Sequence, residues 1–151
     1  MCDRHNFSFK LALAYRGQAV DQFERSPMHV LSAHEAPKKL GVYALYLSND
    51  DASPIYVGKA TKIKLARRLT EHYRKIKGRE NIDADLMWCR YLVIGDEEGE
   101  EWVAASAENA LISHYAPKWN KSGIGSHVPG IGRPGKPGKV PAFDKLYPPK
   151  K

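Results

Sequence analysis

The chain has almost no cysteine. Cys2 and Cys89 are its only two in 151 residues, too few for a disulfide framework and in keeping with a reducing, cytoplasmic setting. Cys2 and His5 are not followed by a second ligand pair at zinc-finger spacing, so structural zinc is not expected. No apolar run approaches the length of roughly 18 residues that a membrane helix needs, which excludes a spanning segment and a membrane partner. Met1-Cys2-Asp3-Arg4-His5 leads into no long apolar stretch, so no signal peptide is expected. Internal repeats are missing as well, and the length suits one domain. A phosphate-binding loop is nearly present and then fails. Gly130-Ile131-Gly132-Arg133-Pro134-Gly135-Lys136 matches its first seven positions, but Pro137 replaces the Ser or Thr. No apolar strand precedes that run, and Pro137 blocks the helix that would cradle the phosphates, so no nucleotide cofactor is expected.

What the chain does have is positive charge in one place. The net charge is +7. From Lys118 to Lys151 there are eight Lys or Arg against the single acid Asp144, while the remainder balances at sixteen of each sign. A basic excess attracts polyanions by neutralising phosphates and releasing counterions. The same stretch from Lys121 holds six of the 12 glycines and six of the 10 prolines, which rules out long regular elements. It reads either as a solvated basic tail or as a rigid basic loop against DNA. Lys121, Arg133 and Lys136 are its candidate DNA contacts.

The most informative stretch is Gly41 to Gly58. Gly41-Val42-Tyr43-Ala44-Leu45-Tyr46-Leu47 and Pro54-Ile55-Tyr56-Val57-Gly58 are two β-prone runs around a polar turn, a hairpin signal. Alternation puts Tyr43, Leu45 and Leu47 on one face and Val42, Ala44 and Tyr46 on the other. Pro54 is expected to open the second strand and Gly58 to close it.

Before the hairpin, a short helix is expected over Ala19 to Arg25, and Ala33 to Leu40 reads as a loop with His34 and Glu35 at the surface. After it, Thr61 is the expected N-cap of a helix through Lys77, stopped by Gly78. Leu65, Leu69, Tyr73 and Ile76 form its apolar stripe, and Arg68 and His72, four apart, lie on a neighbouring one. Lys59, Lys62, Lys64, Arg67, Arg74, Lys75 and Lys77 make this region basic, either as a solvated face or as a surface for phosphates. Trp88 to Ile94 reads as a third strand closed by Gly95. After an acidic turn a second long helix runs from about Glu100 to Tyr115, ending before Pro117. Within it Glu108 stands on an apolar face set by Ala104, Leu111, Ile112 and Tyr115. Burying an unpaired carboxylate is costly, so Glu108 needs a partner, either Arg68 or a metal ion.

Gly41-Val42-Tyr43 and Tyr56-Val57-Gly58 resemble the paired motifs of the GIY-YIG nuclease superfamily. The resemblance extends to Arg68 on the first core helix, Glu108 on the later one and Asn120 beyond it. Lys59 stands where several members carry a lysine. His72 together with Asn120 makes the type II restriction endonuclease branch the nearest. Val42 and Val57 replace the isoleucines of the motif. Arg67 adjoins Arg68, but Leu69 and the four-residue step to His72 favour Arg68. The resemblance implies an α+β fold, a small three-stranded antiparallel sheet flanked by helices, with an N-terminal extension, a core over about 41–120 and a basic tail over 121–151. It also implies a metal-dependent endonuclease that cuts double-stranded DNA at a palindromic, GC-rich site, with Mg²⁺ or Mn²⁺ held by Glu108. On this reading Tyr43 is the general base, Tyr56 orients water or phosphate, and Arg68 binds phosphate through its planar donors. His72 shares the base role or holds a phosphate oxygen, and Asn120 hydrogen-bonds phosphate or nearby backbone. A phenol is mostly protonated at neutral pH, and making Tyr43 a working base requires about 3–4 kcal/mol of preference for phenolate, with Lys59 and the metal as sources. Lys62, Lys64, Arg67 and Arg74 are the further DNA contacts. A homodimer is expected, because one site cuts one strand and a palindrome is two-fold symmetric. The alternatives are a structure-specific repair or homing nuclease, and a DNA-binding module with a decayed site.

Overall fold

The computed structural model describes residues 19–95, 100–120 and 145–150. Residues 19–25 form helix α1, as expected. Strand β1 is His29–Val30, β2 is Leu40–Tyr46, β3 is Tyr56–Ala60 and β4 is Trp88–Gly95. Helix α2 is Leu65–Lys77 and α3 is Glu101–Tyr115. The expected α+β class holds, but the sheet has four antiparallel strands rather than three, in the order β1-β4-β2-β3. The added strand is only two residues long, pairing His29 with Cys89 and Val30 with Trp88. So short a strand has no periodicity of its own, and its pairing is a tertiary effect.

Every residue of β2 is buried. It lies between β3 and β4, and its two faces feed two separate cores. Tyr43 and Leu45 join Tyr56, Leu65, Leu69, Ile76 and Trp119 under α2. Val42, Ala44 and Tyr46 join Val57, Ala104, Ala107 and Leu111 under α3, with Ala19 and Phe23 of α1. The small buried residues Ala104 and Ala107 of α3 let it lie close on the sheet.

Three expected boundaries move. Pro54 does not open β3, which begins at Tyr56, and Gly58 does not close it, because the strand continues through Lys59 to Ala60. Thr61 is not the N-cap of α2. The helix starts at Leu65 after Lys64, which makes no side-chain cap. Its first amides are satisfied from a distance instead: Leu65 donates to the Lys39 carbonyl at 3.0 Å and Ala66 to the Pro37 carbonyl at 3.1 Å. Carbonyls from another segment do here what a capping side chain does elsewhere. At the other end Gly78 follows the helix as expected. His34, expected at the surface, is half-buried and holds the Thr70 hydroxyl of α2 at 3.0 Å.

The described end of the chain returns to this core. Tyr147 packs edge-on against Trp119, with ring centroids 5.5 Å apart. Glu80 donates to the Pro148 carbonyl at 2.8 Å, and Lys150 to the Gly78 carbonyl at 2.8 Å. Residues 145–150 are therefore fastened to the core that the sequence was expected to end near Asn120. Cys2, His5, the acidic turn at 96–99 and the basic stretch 121–144 lie outside the described residues.

Candidate active site

The hairpin brings the two motif tyrosines to one place because their strands pair in a particular register. Tyr43 faces Gly58 across β2 and β3, and Leu45 faces Tyr56. Antiparallel strands put such neighbours on the same face, so Tyr43 and Tyr56 both point toward α2. Their ring centroids are 6.1 Å apart. His72 reaches the same place from α2, with ring centroids 5.3 Å from Tyr43 and 5.2 Å from Tyr56. The Tyr43 hydroxyl and His72 Nε2 lie 2.6 Å apart, a short hydrogen bond for an O–H and a ring nitrogen. Both groups are buried, His72 at 4% exposure. His72 is therefore part of the site and not a surface helix residue.

Gly58 makes this packing possible. A Cβ there would overlap the Tyr43 hydroxyl, so the phenol lies directly over the second motif's glycine. The glycine is required by close approach and not by an unusual backbone angle.

Arg68 settles beside the tyrosines. Its side chain is 19% exposed, against 78% for Arg67. One turn geometry thus separates two adjacent arginines: Arg68 faces inward and Arg67 faces solvent. Burial works against the Arg68 charge, but its charge interaction and hydrogen bond with Tyr43, followed by Tyr56 and Glu71, outweigh it and raise its pKa.

The Tyr43 phenol is not primed as a base by the chain alone. Burial, the largest influence, and then Tyr56 push its pKa well above the ordinary value, while Arg68 pulls in the opposite direction through charge and a hydrogen bond. The expected lowering through Lys59 is not what the structure provides, because Arg68 is the cation that acts on this phenol.

Glu108 comes from α3, on the other face of the sheet, and meets the site at β3. Burial raises its pKa, and the Lys59 charge, the Arg68 charge and a hydrogen bond with the Lys59 backbone each counter that. Two cations are thus the partners of this half-buried carboxylate. Among the described residues no three His, Cys, Asp or Glu side chains gather as a ready-made ligand set. The donor chemistry still suits a hard divalent ion, which is often bound by one or two carboxylates with waters completing the shell. Glu108 is the residue that would hold it.

Asn120 behaves differently from the rest. Its Oδ1 accepts from the Val57 amide at 2.9 Å, and its Nδ2 donates to the Val57 carbonyl at 2.8 Å. Of the two roles left open for it, the structure brings it to backbone. Lys62, Arg67 and Arg74 are exposed and Lys64 is partly so, while Lys121, Arg133 and Lys136 lie outside the described residues.

A family model described as the Eco29kI GIY-YIG domain matches residues 44–151. The chain belongs to this family. The match covers more than two thirds of the sequence and supports placement in the GIY-YIG superfamily, on its restriction endonuclease side. It begins one residue after Tyr43 and runs through the basic stretch to the last residue. Tyr43 itself lies outside the match and is the group that His72 and Arg68 hold. No curated protein matches the chain. Sequence reasoning overlooked Glu71, whose signal was its isolation as the one acid in the basic run from Leu65 to Lys77.

Proposed function

We propose that this chain is a metal-dependent endonuclease that hydrolyses phosphodiester bonds in double-stranded DNA, acting as a type II restriction enzyme on a palindromic site. The observation that carries the reading is the buried Tyr43–His72 hydrogen bond beside Tyr56 and Arg68. A tyrosine buried in an ordinary core needs one hydrogen-bond partner, whereas Tyr43 has both His72 and an inward-facing Arg68 on its hydroxyl.

The arrangement suggests how the chain's own groups divide the work. A phenol whose pKa burial raises cannot take a proton from water unless it gives up its own. With Nε2 unprotonated, His72 accepts the Tyr43 proton as Tyr43 accepts one from the attacking water, so the two residues act as one base. Arg68 presents its guanidinium to the phosphate and stabilises charge that develops there. Tyr56 orients the water or the phosphate. Burial pushes the Glu108 pKa up and the charges of Lys59 and Arg68 oppose that shift. Glu108 would hold Mg²⁺ or Mn²⁺, which would supply Lewis-acid stabilisation at the phosphate when bound. Exposed Lys62, Arg67 and Arg74, with Lys64, give the sequence-independent grip on the DNA backbone. Two chains related by a two-fold axis match the symmetry of a palindrome.

Purified protein with plasmid and Mg²⁺ tests this. Discrete fragments are expected, lost in excess chelator and lost in Glu108→Gln with DNA binding retained. Mixing active chains with excess Glu108→Gln chains should turn linearised plasmid into nicked circles. Binding without cleavage by the wild-type chain would make it a decayed DNA-binding module instead.

A further inference from the structure

Helix α2 carries five Lys or Arg and one acid, Glu71. That acid touches both neighbouring arginines. Arg67 Nε lies 3.2 Å from Glu71 Oε1, and Arg68 Nη1 lies 3.6 Å from Oε2. Stability does not explain its presence. Exposed ion pairs contribute little, and a basic residue N-terminal to its acid is the weaker order on a helix. For a face that must meet phosphates, an acid among the cations is also a cost in affinity. Something other than folding or binding strength must account for a carboxylate at this point.

The geometry offers an account. Arg68 has two kinds of neighbour: the buried Tyr43 and Tyr56 on one side, and the half-exposed Glu71 on the other. A long guanidinium side chain has many rotamers, and its catalytic worth depends on holding one of them before the phosphate arrives. We propose that Glu71 is a positioning residue for Arg68. It holds the guanidinium turned toward the tyrosine pair in the free protein, and yields to a substrate phosphate when DNA binds. The loose 3.6 Å contact to Arg68 suits a partner that is to be replaced, whereas the bond to Arg67 is the tighter one that anchors the carboxylate. Arg67 thus acts through Glu71 as well as through the DNA backbone. This proposal rests on the nuclease reading for its consequence, but not for its test.

The test compares wild type with Glu71→Gln, and uses Glu80→Gln as a control that removes an exposed acid just past the same helix. Glu71→Gln keeps the size of the side chain and removes the charge. In metal-free buffer its affinity for duplex DNA should rise about two- to fivefold, the range of an exposed ion pair released for phosphate. Its kcat with Mg²⁺ should nevertheless fall about tenfold, because Arg68 is no longer held in place. The control should show the small gain in affinity with kcat unchanged. Nitrogen-detected NMR of the Arg68 side chain in the free protein supplies the readout that does not depend on cleavage. A single, slowly exchanging Nε–H signal in wild type should become averaged in Glu71→Gln and stay unchanged in Glu80→Gln. An unchanged Arg68 signal in Glu71→Gln overturns the proposal, as does a kcat equal to wild type. A wild-type chain that cuts no DNA overturns the nuclease reading, and the NMR comparison still decides whether Glu71 positions Arg68.

Discussion

Asn120 grips the main chain of Val57 with both ends of its amide, at 2.9 Å and 2.8 Å. Val57 is the middle residue of the second motif, and β3 is the outer strand of the sheet. An outer strand offers unpaired amides and carbonyls. The turn Lys118–Asn120 covers that edge, and Trp119 adds a bond from its amide to the Ile55 carbonyl at 2.9 Å. Asn120 therefore fixes the strand that carries Tyr56, and it does so where a β-strand neighbour is missing.

Replacing Asn120 should accordingly act through stability. Asn120→Ala leaves two main-chain groups of the buried Val57 without partners, at about 1–3 kcal/mol each. A loss of about 2–6 kcal/mol is expected in denaturant unfolding, with faster exchange of the Val57 amide proton. Asn120→Asp keeps the acceptor but sets a carboxylate against the Val57 carbonyl, so it should not rescue. Should the alanine variant instead lose cleavage while keeping its stability and its protected Val57 amide, Asn120 acts on the phosphate.

The close approach at Gly58 predicts a selective defect. Gly58→Ala places a methyl group where the Tyr43 hydroxyl now lies. The phenol must swing away, and its 2.6 Å contact with His72 lengthens. Overpacking a tight core costs about 1–3 kcal/mol, so the chain should still fold. Cleavage should fall by at least tenfold more than the lost folded fraction explains. Wild-type rates in a folded Gly58→Ala chain would show that the Tyr43–His72 contact is not part of the chemistry.

The elements that carry the site were legible because their signals are local. Alternation in Val42–Leu47 and helical spacing from Leu65 to Ile76 gave β2 and α2, and an ionisable residue on an apolar face singled out Glu108. What the sequence hid was non-local. His29–Val30 pairs only because β4 offers an edge. The start of α2 is set by carbonyls of Pro37 and Lys39, thirty residues or so from any helix signal in α2's own centre. Tyr73 is less deeply placed than its spacing implied, while His72 one position earlier is buried. A polar residue takes that inward position because Tyr43 supplies a partner, and no periodicity reports a partner on another strand. The direction of the Tyr43 pKa was missed for a similar reason: its largest cause is burial, which depends on everything packed around it.

His34 should make the chain's stability depend on pH. Its Nδ1 accepts from the Ala36 amide at 3.3 Å, and its Nε2 lies against the Thr70 hydroxyl. Thr70 in turn donates to the Ala66 carbonyl at 2.9 Å. A neutral imidazole fits this chain of bonds, and a charged one loses its acceptor. Burial, and then the charge of His29, lower the His34 pKa. The unfolded chain therefore binds this proton at a higher pH than the folded one. The contribution is fully present above the unfolded value of about 6.5 and is lost as pH falls from there toward the lower folded value. Melts between pH 8 and pH 5 should show wild type losing stability faster than His34→Gln below that point. Parallel curves would remove His34 as the source.

The last prediction concerns whether Tyr43 and His72 act as one base or two. If each contributed separately, removing both would multiply the losses. If the phenol can take a proton from water only by passing its own to the imidazole, removing either one already breaks the relay. Tyr43→Phe and His72→Gln should each lower kcat by about 10²- to 10⁴-fold, the range of a positioned general base. The double variant should be close to the worse single one, as residues that work as a unit are strongly non-additive. Tyr43→Phe also leaves His72 Nε2 facing a ring carbon in a buried place, at a cost of about 1–3 kcal/mol. Rates must therefore be measured in single turnover on chains shown to be folded by circular dichroism, with enzyme in excess of DNA. His72→Gln is the more telling variant, because a glutamine can still accept the phenol's hydrogen bond but cannot take its proton. Near wild-type cleavage by His72→Gln would mean that a hydrogen bond to Tyr43 is enough and that the proton goes elsewhere. Losses that multiply in the double variant would assign the two residues separate tasks, with His72 serving the phosphate and Tyr43 the water.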